Sequence, residues 1–165
     1  MIRIVEADYR NPAHAHALVQ LLGAYAQDPM GGGEPLSDFA KANLAQALAA
    51  RPQAFSLLAY ESETPEGDSA VGLANCIEGF STFACKPLVN VHDLAVLSTH
   101  RGKGIAQKLL EAAEVEARKR GACKLTLEVL SGNHGAVRLY ERVGFAGYEL
   151  GELTGQAQFM QKWLD

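Results

Sequence analysis

The segment Arg101-Gly102-Lys103-Gly104-Ile105-Ala106 constrains this chain more than any other, because an apolar run from Val89 to Val96 precedes it and an amphipathic run from Ile105 to Arg120 follows it. Strand, glycine turn and helix in that order make an anion site. Glycine lets the backbone turn tightly and approach a ligand without interference from Cβ. The helix that follows starts with unpaired N–H groups and a partial positive charge. Arg101 and Lys103 add mobile positive charge, and a diphosphate is the ligand class that fits.

Three patterns place glycines and basic residues before a helix. A Walker A loop needs Ser or Thr after Gly-Lys to hold magnesium, but Gly104 follows Lys103. The dinucleotide fingerprint would begin at Gly102 and then places Gln107 where glycine must let helix and strand pack closely. The third pattern is Arg or Gln, two residues, Gly, one residue, then Gly or Ala, and Arg101, Gly104 and Ala106 fill it. Further along, Asn133, Ala136, Leu139, Tyr140, Gly144 and Phe145 fill Asn-x-x-Ala-x-x-Leu-Tyr-x-x-x-Gly-Phe. With both motifs in this order, the chain resembles the GNAT superfamily of N-acetyltransferases. The likeness is specific over residues 88–147 and elsewhere lies only in the order of elements.

Composition is consistent with one globular domain spanning residues 1–165: 48% of residues are hydrophobic and 21% charged, enough for a substantial core. No apolar run reaches the roughly 18 residues of a membrane span, and Met1-Ile-Arg-Ile-Val does not read as an export leader, so a cytoplasmic enzyme is expected. Cys76, Cys85 and Cys123 are odd in number and lack C-x-x-C spacing, which favours reduced thiols, mostly small core fillers, over a disulfide frame or zinc site. A net charge of −4 without a long basic run disfavours nucleic acid and tolerates a cationic substrate.

Along the chain, a short strand at Arg3 to Glu6 precedes a helix capped by Asn11 and opened by Pro12, with Leu18, Leu21, Leu22 and Tyr25 on one face. A glycine loop from Asp28 to Pro35 leads to Ser37, the cap of a second helix that Pro52 stops. Ala54 to Glu61 and Ala70 to Phe83 form a hairpin across the polar turn Ser62 to Ser69. After the strand from Leu88 and the helix from Gly104 comes a strand at Lys124 to Leu130, making a right-handed βαβ unit with parallel strands. Phe145 to Leu150 and Gln158 to Leu164 read as final strands. The order β-α-α-β-β-β-α-β-α-β-β matches the GNAT fold, an α/β architecture with a mixed twisted sheet of about seven strands flanked by about four helices.

The strand at residues 88–97 changes phase. Val89 and Val91 share one parity, Leu94 and Val96 the other. Either an extra residue near His92-Asp93 forms a β-bulge, or the strand is buried on both faces. In GNAT enzymes a bulge here splays the strand from its parallel neighbour and admits the pantetheine arm. The resemblance therefore implies that Leu94, Ala95 and Val96 pair with that arm and that Asn133 hydrogen-bonds it. It also implies that Arg101, Gly102, Lys103, Gly104, Ile105 and Ala106 hold the pyrophosphate.

Acetyl transfer to an amine needs a neutral amine, a stabilised thioester oxygen and a protonated leaving thiolate. With an alkyl ammonium pKa near about 10.4, only about one amine in a thousand is neutral at pH 7, so a base or a desolvating site helps. Asp93, Glu78 and Glu128 are candidate carboxylates, and His92 belongs to the residue type that titrates near neutrality. His92 and Asp93 are the favoured pair, although a strand histidine can equally make a structural hydrogen bond. Asp93 is read as a substrate anchor, a base through water or a bulge-fixing acceptor. By resemblance, the Leu94 N–H stabilises the oxyanion and Tyr140, which also borders the cofactor, is the general acid.

Glu78, Phe80 and Phe83 border the acceptor side by the same resemblance. Phe80-Ser-Thr-Phe83 followed by Asp93 and Leu94 looks loosely like the diamine and polyamine acetyltransferase branch, where an acidic residue usually stands at the place of His92. Acetyl-CoA as cosubstrate, no metal, a small-molecule amine acceptor and a homodimer follow as expectations, with Phe159 and Trp163 available to a core or an interface. A protein or peptide N-acetyltransferase and a non-catalytic acetyl-CoA sensor are the alternatives. A dinucleotide oxidoreductase is disfavoured by Gln107 and the single βα crossover.

Overall fold

The computed structural model describes residues 1–64, 67–151 and 153–164. The chain forms two compact units, Met1–Leu127 and Glu128–Asp165. The first contains β1 (Ile2–Glu6), α1 (Pro12–Gln27), α2 (Asp38–Ala49), β2 (Ala54–Thr64), β3 (Gly67–Ser81), β4 (Lys86–Val96), α3 (Ile105–Lys119) and β5 (Leu125–Leu127). Helix starts follow local chemistry. The Asn11 side chain accepts the Ala13 N–H at 2.9 Å with Pro12 in the first turn, and Ser37 Oγ accepts the Ala40 N–H at 3.1 Å.

The sheet runs β1-β2-β3-β4-β5, antiparallel up to β4 and parallel between β4 and β5. Its faces are set by strand parity. Leu58 and Leu73 join Ala17, Leu18 and Leu21 of α1, with Leu44 and Leu48 of α2 packed alongside. On the opposite face Gly72 lies under α3, where an added methyl would stand 3.1 Å from Leu109 Cδ1. Ile105, Leu109, Leu110, Ala113 and Ala117 form the buried stripe of α3 at helical spacing. Each fully buried aliphatic side chain of this kind contributes about 1.5–3 kcal/mol.

The phase change in β4 is a β-bulge. Asn75 pairs with Asp93 and Cys76 with Val91, which leaves His92 as the extra residue. With that insertion, Val89, Val91, Leu94 and Val96 all stand opposite β3 residues of the α3 face, whereas Asp93 and Ala95 stand opposite Asn75 and Leu73 on the α1 face.

Among the described residues five strands form where about seven were expected. Between residues 145 and 164 the only described backbone pairing of strand type is a single bridge, Glu149 to Gln156, and Phe159 and Trp163 are 69% and 84% exposed. Alternating apolar residues without a paired edge do not make a strand. β5 is also shorter than Lys124 to Leu130, since its ladder ends at Val91 opposite Leu127, immediately before the bulge turns β4 aside. β2 and β3 extend further into their connection than expected, and residues 65 and 66 of the predicted turn lie outside the described residues. Only Cys76 is a core thiol; Cys85 and Cys123 are exposed.

In the second unit Asn133 Oδ1 accepts the Ala136 N–H at 3.2 Å and caps α4 (His134–Arg142). The chain then turns at Gly144 (φ +98°), and the Tyr140 and Phe145 rings meet edge to face with centroids 6.0 Å apart.

Candidate active site

The turn before α3 has the predicted glycine geometry. Gly102 and Gly104 hold φ of +77° and +74°, a region that excludes most side chains, and no heavy atom would meet a Cβ at either within 4 Å. Among the described residues, the backbone N–H groups from Gly102 to Gln107 have no backbone acceptor. Open space, free donors and the positive end of α3 coincide, which fits a pyrophosphate. Arg101 is already engaged: its Nη2 donates to Asp28 Oδ2 at 2.7 Å and its Nε to the Val96 carbonyl at 3.2 Å. That contact holds the Asp28 carboxyl below the usual carboxylate range, with the Met30 N–H assisting. Just upstream, His100 Nε2 meets Glu61 Oε2 at 3.0 Å, and this bond lowers the Glu61 pKa, with the positive charge of Lys103 adding to it.

The bulge decides which β4 groups remain free. Leu97 N–H bonds to the Val71 carbonyl, so in an alternating antiparallel ladder residues 93, 95 and 97 exchange bonds with β3. Leu94 and Val96 then turn their N–H and C=O to the other edge, where the β5 ladder has already ended. Arg101 reaching the Val96 carbonyl agrees with this phase. Of the three residues expected beside the pantetheine arm, Leu94 turns its backbone to the open edge, Val96 does so with its carbonyl held by Arg101, and Ala95 faces β3.

His92 and Asp93 both line a cavity of about 450 Å³ on the α1 face, walled by Leu22, Tyr25, Leu36, Leu44, Leu48 and Ile77. Burial, followed by the charges of Asp93 and Asp28, raises the Tyr25 pKa, so its phenol stays protonated. Tyr25 thereby lies electrostatically between the cavity acid and the partner of Arg101.

A polar chain crosses the sheet behind Asp93. Ser56 and Asn75 are the buried polar residues of the core, 0% and 6% exposed. Ser56 Oγ donates to Asn75 Oδ1 at 2.6 Å, and Asn75 Nδ2 donates to Asp93 Oδ2 at 2.9 Å. Because the Ser56 proton is spent on Asn75, the Tyr9 hydroxyl donates to Ser56 Oγ at 2.9 Å. Burial holds Tyr9 protonated by raising its pKa. Every donor in the chain points toward Asp93, which fixes one carboxylate oxygen, Oδ2.

The other expected acceptor residues lie elsewhere. Glu78 stands on the α3 face in an ion pair with Arg120 at 3.3 Å, and Phe80 and Phe83 are 59% and 101% exposed, outside the cavity. Tyr140 and Asn133 belong to the second unit, described above. Among the described residues no group of three His, Cys, Asp or Glu is arranged to hold a metal, and no helix is long and apolar enough to cross a membrane.

Glycine turn, bulged strand and mixed sheet together define an acyl-CoA-dependent transferase fold. Comparison with known proteins makes this specific: the model of the acetyltransferase (GNAT) family matches residues 16–145, and the chain belongs to that family. It is 31% identical over 129 residues to the uncharacterized N-acetyltransferase YdgE of Bacillus subtilis, covering 69% of this chain and 82% of that one. It is 40% identical over 80 residues to the streptothricin acetyltransferase of Streptomyces lavendulae, covering 47% of this chain but 42% of that enzyme, less than half its length. A crystal structure of a probable acetyltransferase superposes with a TM-score of 0.81 at 21% identity, over 99% of both chains.

Proposed function

We propose that the protein transfers the acetyl group of acetyl-CoA to a small primary amine by direct attack in a ternary complex. The observation that carries this reading is one strand serving two compartments. Through the bulge, β4 exposes His92 and Asp93 to the cavity and, three residues on, frees backbone groups that lead into the phosphate-type turn. Acetyl-CoA supplies an activated thioester.

The turn from Arg101 to Ala106 binds the pyrophosphate through the backbone N–H groups from Gly102 onward, and Lys103 adds charge. Leu94 offers free backbone along the strand, and its N–H serves the oxygen that gains charge. Asp93 draws the ammonium into the cavity and takes its proton, directly or through water, with Asn75 holding the carboxylate in place. The amine nitrogen then forms the amide bond as the C–S bond breaks, loses its remaining surplus proton, and the departing sulfur receives one. Tyr140 is the acid for that last transfer. Its support is the likeness of the Asn133-to-Phe145 segment to that of GNAT enzymes, which commonly use this tyrosine as general acid.

The test is amine-dependent release of coenzyme A, followed by mass spectrometry across amines, amino acids and peptides, with Tyr140→Phe alongside. Acetylated amine whose formation slows in the variant sustains the reading. Tight acetyl-CoA binding with no product from any acceptor overturns it in favour of a sensor.

A further inference from the structure

We infer that the acceptor is an amine carrying a single positive charge on an apolar body, and that polyamines are poor substrates; this rests on the acetyltransferase reading above.

The charge inventory of the cavity is the first ground. Among the described residues that line it, Asp93 is the only carboxylate. Of the other acids considered, Asp28 is paired with Arg101 at 2.7 Å, and Glu78 with Arg120 on the opposite face of the sheet. The cavity wall carries a cation of its own. Arg51 lines it, with Nη1 donating to the Ala47 carbonyl at 2.6 Å at the end of α2. A ligand with one ammonium finds one counter-charge. A second ammonium on the same ligand would find no second carboxylate among the described lining residues: the rest of the wall is mostly apolar, Arg51 repels it, and Ser56 and Asn75 are already hydrogen-bonded to one another, so its charge would stay unpaired, which is disfavoured.

The wall between these charges is the second ground. Leu22, Leu36, Leu44, Leu48, Ala47 and Ile77 surround a volume of about 450 Å³, within the range of sites that bury a small organic ligand. They come from α1, the Asp28 to Pro35 loop region, α2 and β3, so the apolar lining is continuous across four parts of the unit. Each methylene buried there contributes about fourfold in affinity. The residues that suggested the diamine branch, Phe80 and Phe83, lie outside this cavity and supply no second anion.

A matched series tests this in the full-length protein at saturating acetyl-CoA, with product measured by mass spectrometry. Hexylamine has one charge and a six-carbon body, propylamine shortens the body, and hexamethylenediamine keeps the length but adds a second charge. The expected kcat/KM for hexylamine exceeds that for propylamine and for hexamethylenediamine by at least about tenfold. Leu48→Glu, which adds an acid to the wall, reverses the preference between the mono- and diamine. If that variant does not fold, Arg51→Gln provides the second arm by narrowing the ratio. Diamine or spermidine turnover equal to or above that of hexylamine overturns the inference and leaves the acetyltransferase reading intact. Failure of every amine to be acetylated, while acetyl-CoA still raises Tm, overturns the acetyltransferase reading and the inference with it.

Discussion

The Arg101 guanidinium donates to the Asp28 carboxylate at 2.7 Å, so one ion pair ties the turn that opens α3 to the segment that leaves α1. The pair therefore pins the turn against the cavity wall. Replacing Asp28 by Asn is expected to cost about 0.2–1 kcal/mol, the worth of a partly exposed pair. The same change loosens the cavity wall and raises the amine KM. Thermal melts together with amine kinetics check both; an unchanged Tm and an unchanged KM would remove the pair from the wall.

Asp28 and Glu61 both have depressed folded-state pKa values, the first chiefly through Arg101 and the second chiefly through His100. The sign follows from linkage: stability from each is present above the unfolded carboxylate pKa and is lost as pH falls through the folded value. Thermal melts are expected to show Tm falling as pH drops below about 4. The fall should be shallower in an Asp28→Asn, Glu61→Gln double variant, and identical slopes would remove these two groups from the acid limb.

Gly104 opens α3 at φ +74°, where an L side chain is strained. Gly104→Ala is expected to cost about 1–2 kcal/mol, a Tm loss of about 3–6 °C for a chain of this length. It should also weaken acetyl-CoA binding, since relief of the strain would re-aim the N–H groups. A melt with and without acetyl-CoA separates the two effects.

Asn75 is a positioning residue because its amide is committed to Ser56 and Asp93. Asn75→Leu strands the Ser56 hydroxyl and is expected to cost about 1–3 kcal/mol. It should also lower kcat/KM for the amine by about tenfold to a hundredfold through misorientation of Asp93. Acetyl-CoA affinity should stay unchanged. A merely structural role would depress Tm and leave the amine kinetics alone, and Tyr9→Phe, which removes the far end of the chain, should have the same direction and a smaller size.

Burial pushes the Cys76 thiol up to about 12, so it should stay unreactive at pH 8. Two thiols per chain, Cys85 and Cys123, are expected to label in the native protein, and the third only in denaturant. Labelling of all three under native conditions would show that the sheet opens at Cys76.

Much of the site was legible because its signals are local. The turn at Arg101 to Ala106 is written in adjacent residues, and the parity of Val89, Val91, Leu94 and Val96 contains the bulge once two registers are compared. The chain from Tyr9 to Asp93 was not legible, since Tyr9, Ser56 and Asn75 are ordinary polar residues that only the register of three strands brings into line. Glu78 could have been set aside earlier. It differs in parity from Asn75 on the same strand and so belongs to the face that Arg120 covers. The last two expected strands failed for another reason: alternation predicts a surface that can pair, while pairing itself depends on a neighbouring edge.

The insertion at His92 also leaves one residue of this strand outside the ladder. Removing His92 would close β4 into a regular strand, with Val91 still opposite Cys76 and Asp93 still opposite Asn75, so Leu94 and Val96 would keep to the α3 layer. What such a deletion would take away is the bend that turns β4 aside where the β5 ladder ends. A one-residue deletion here should therefore spare the packing of the sheet while closing the gap between the two parallel strands.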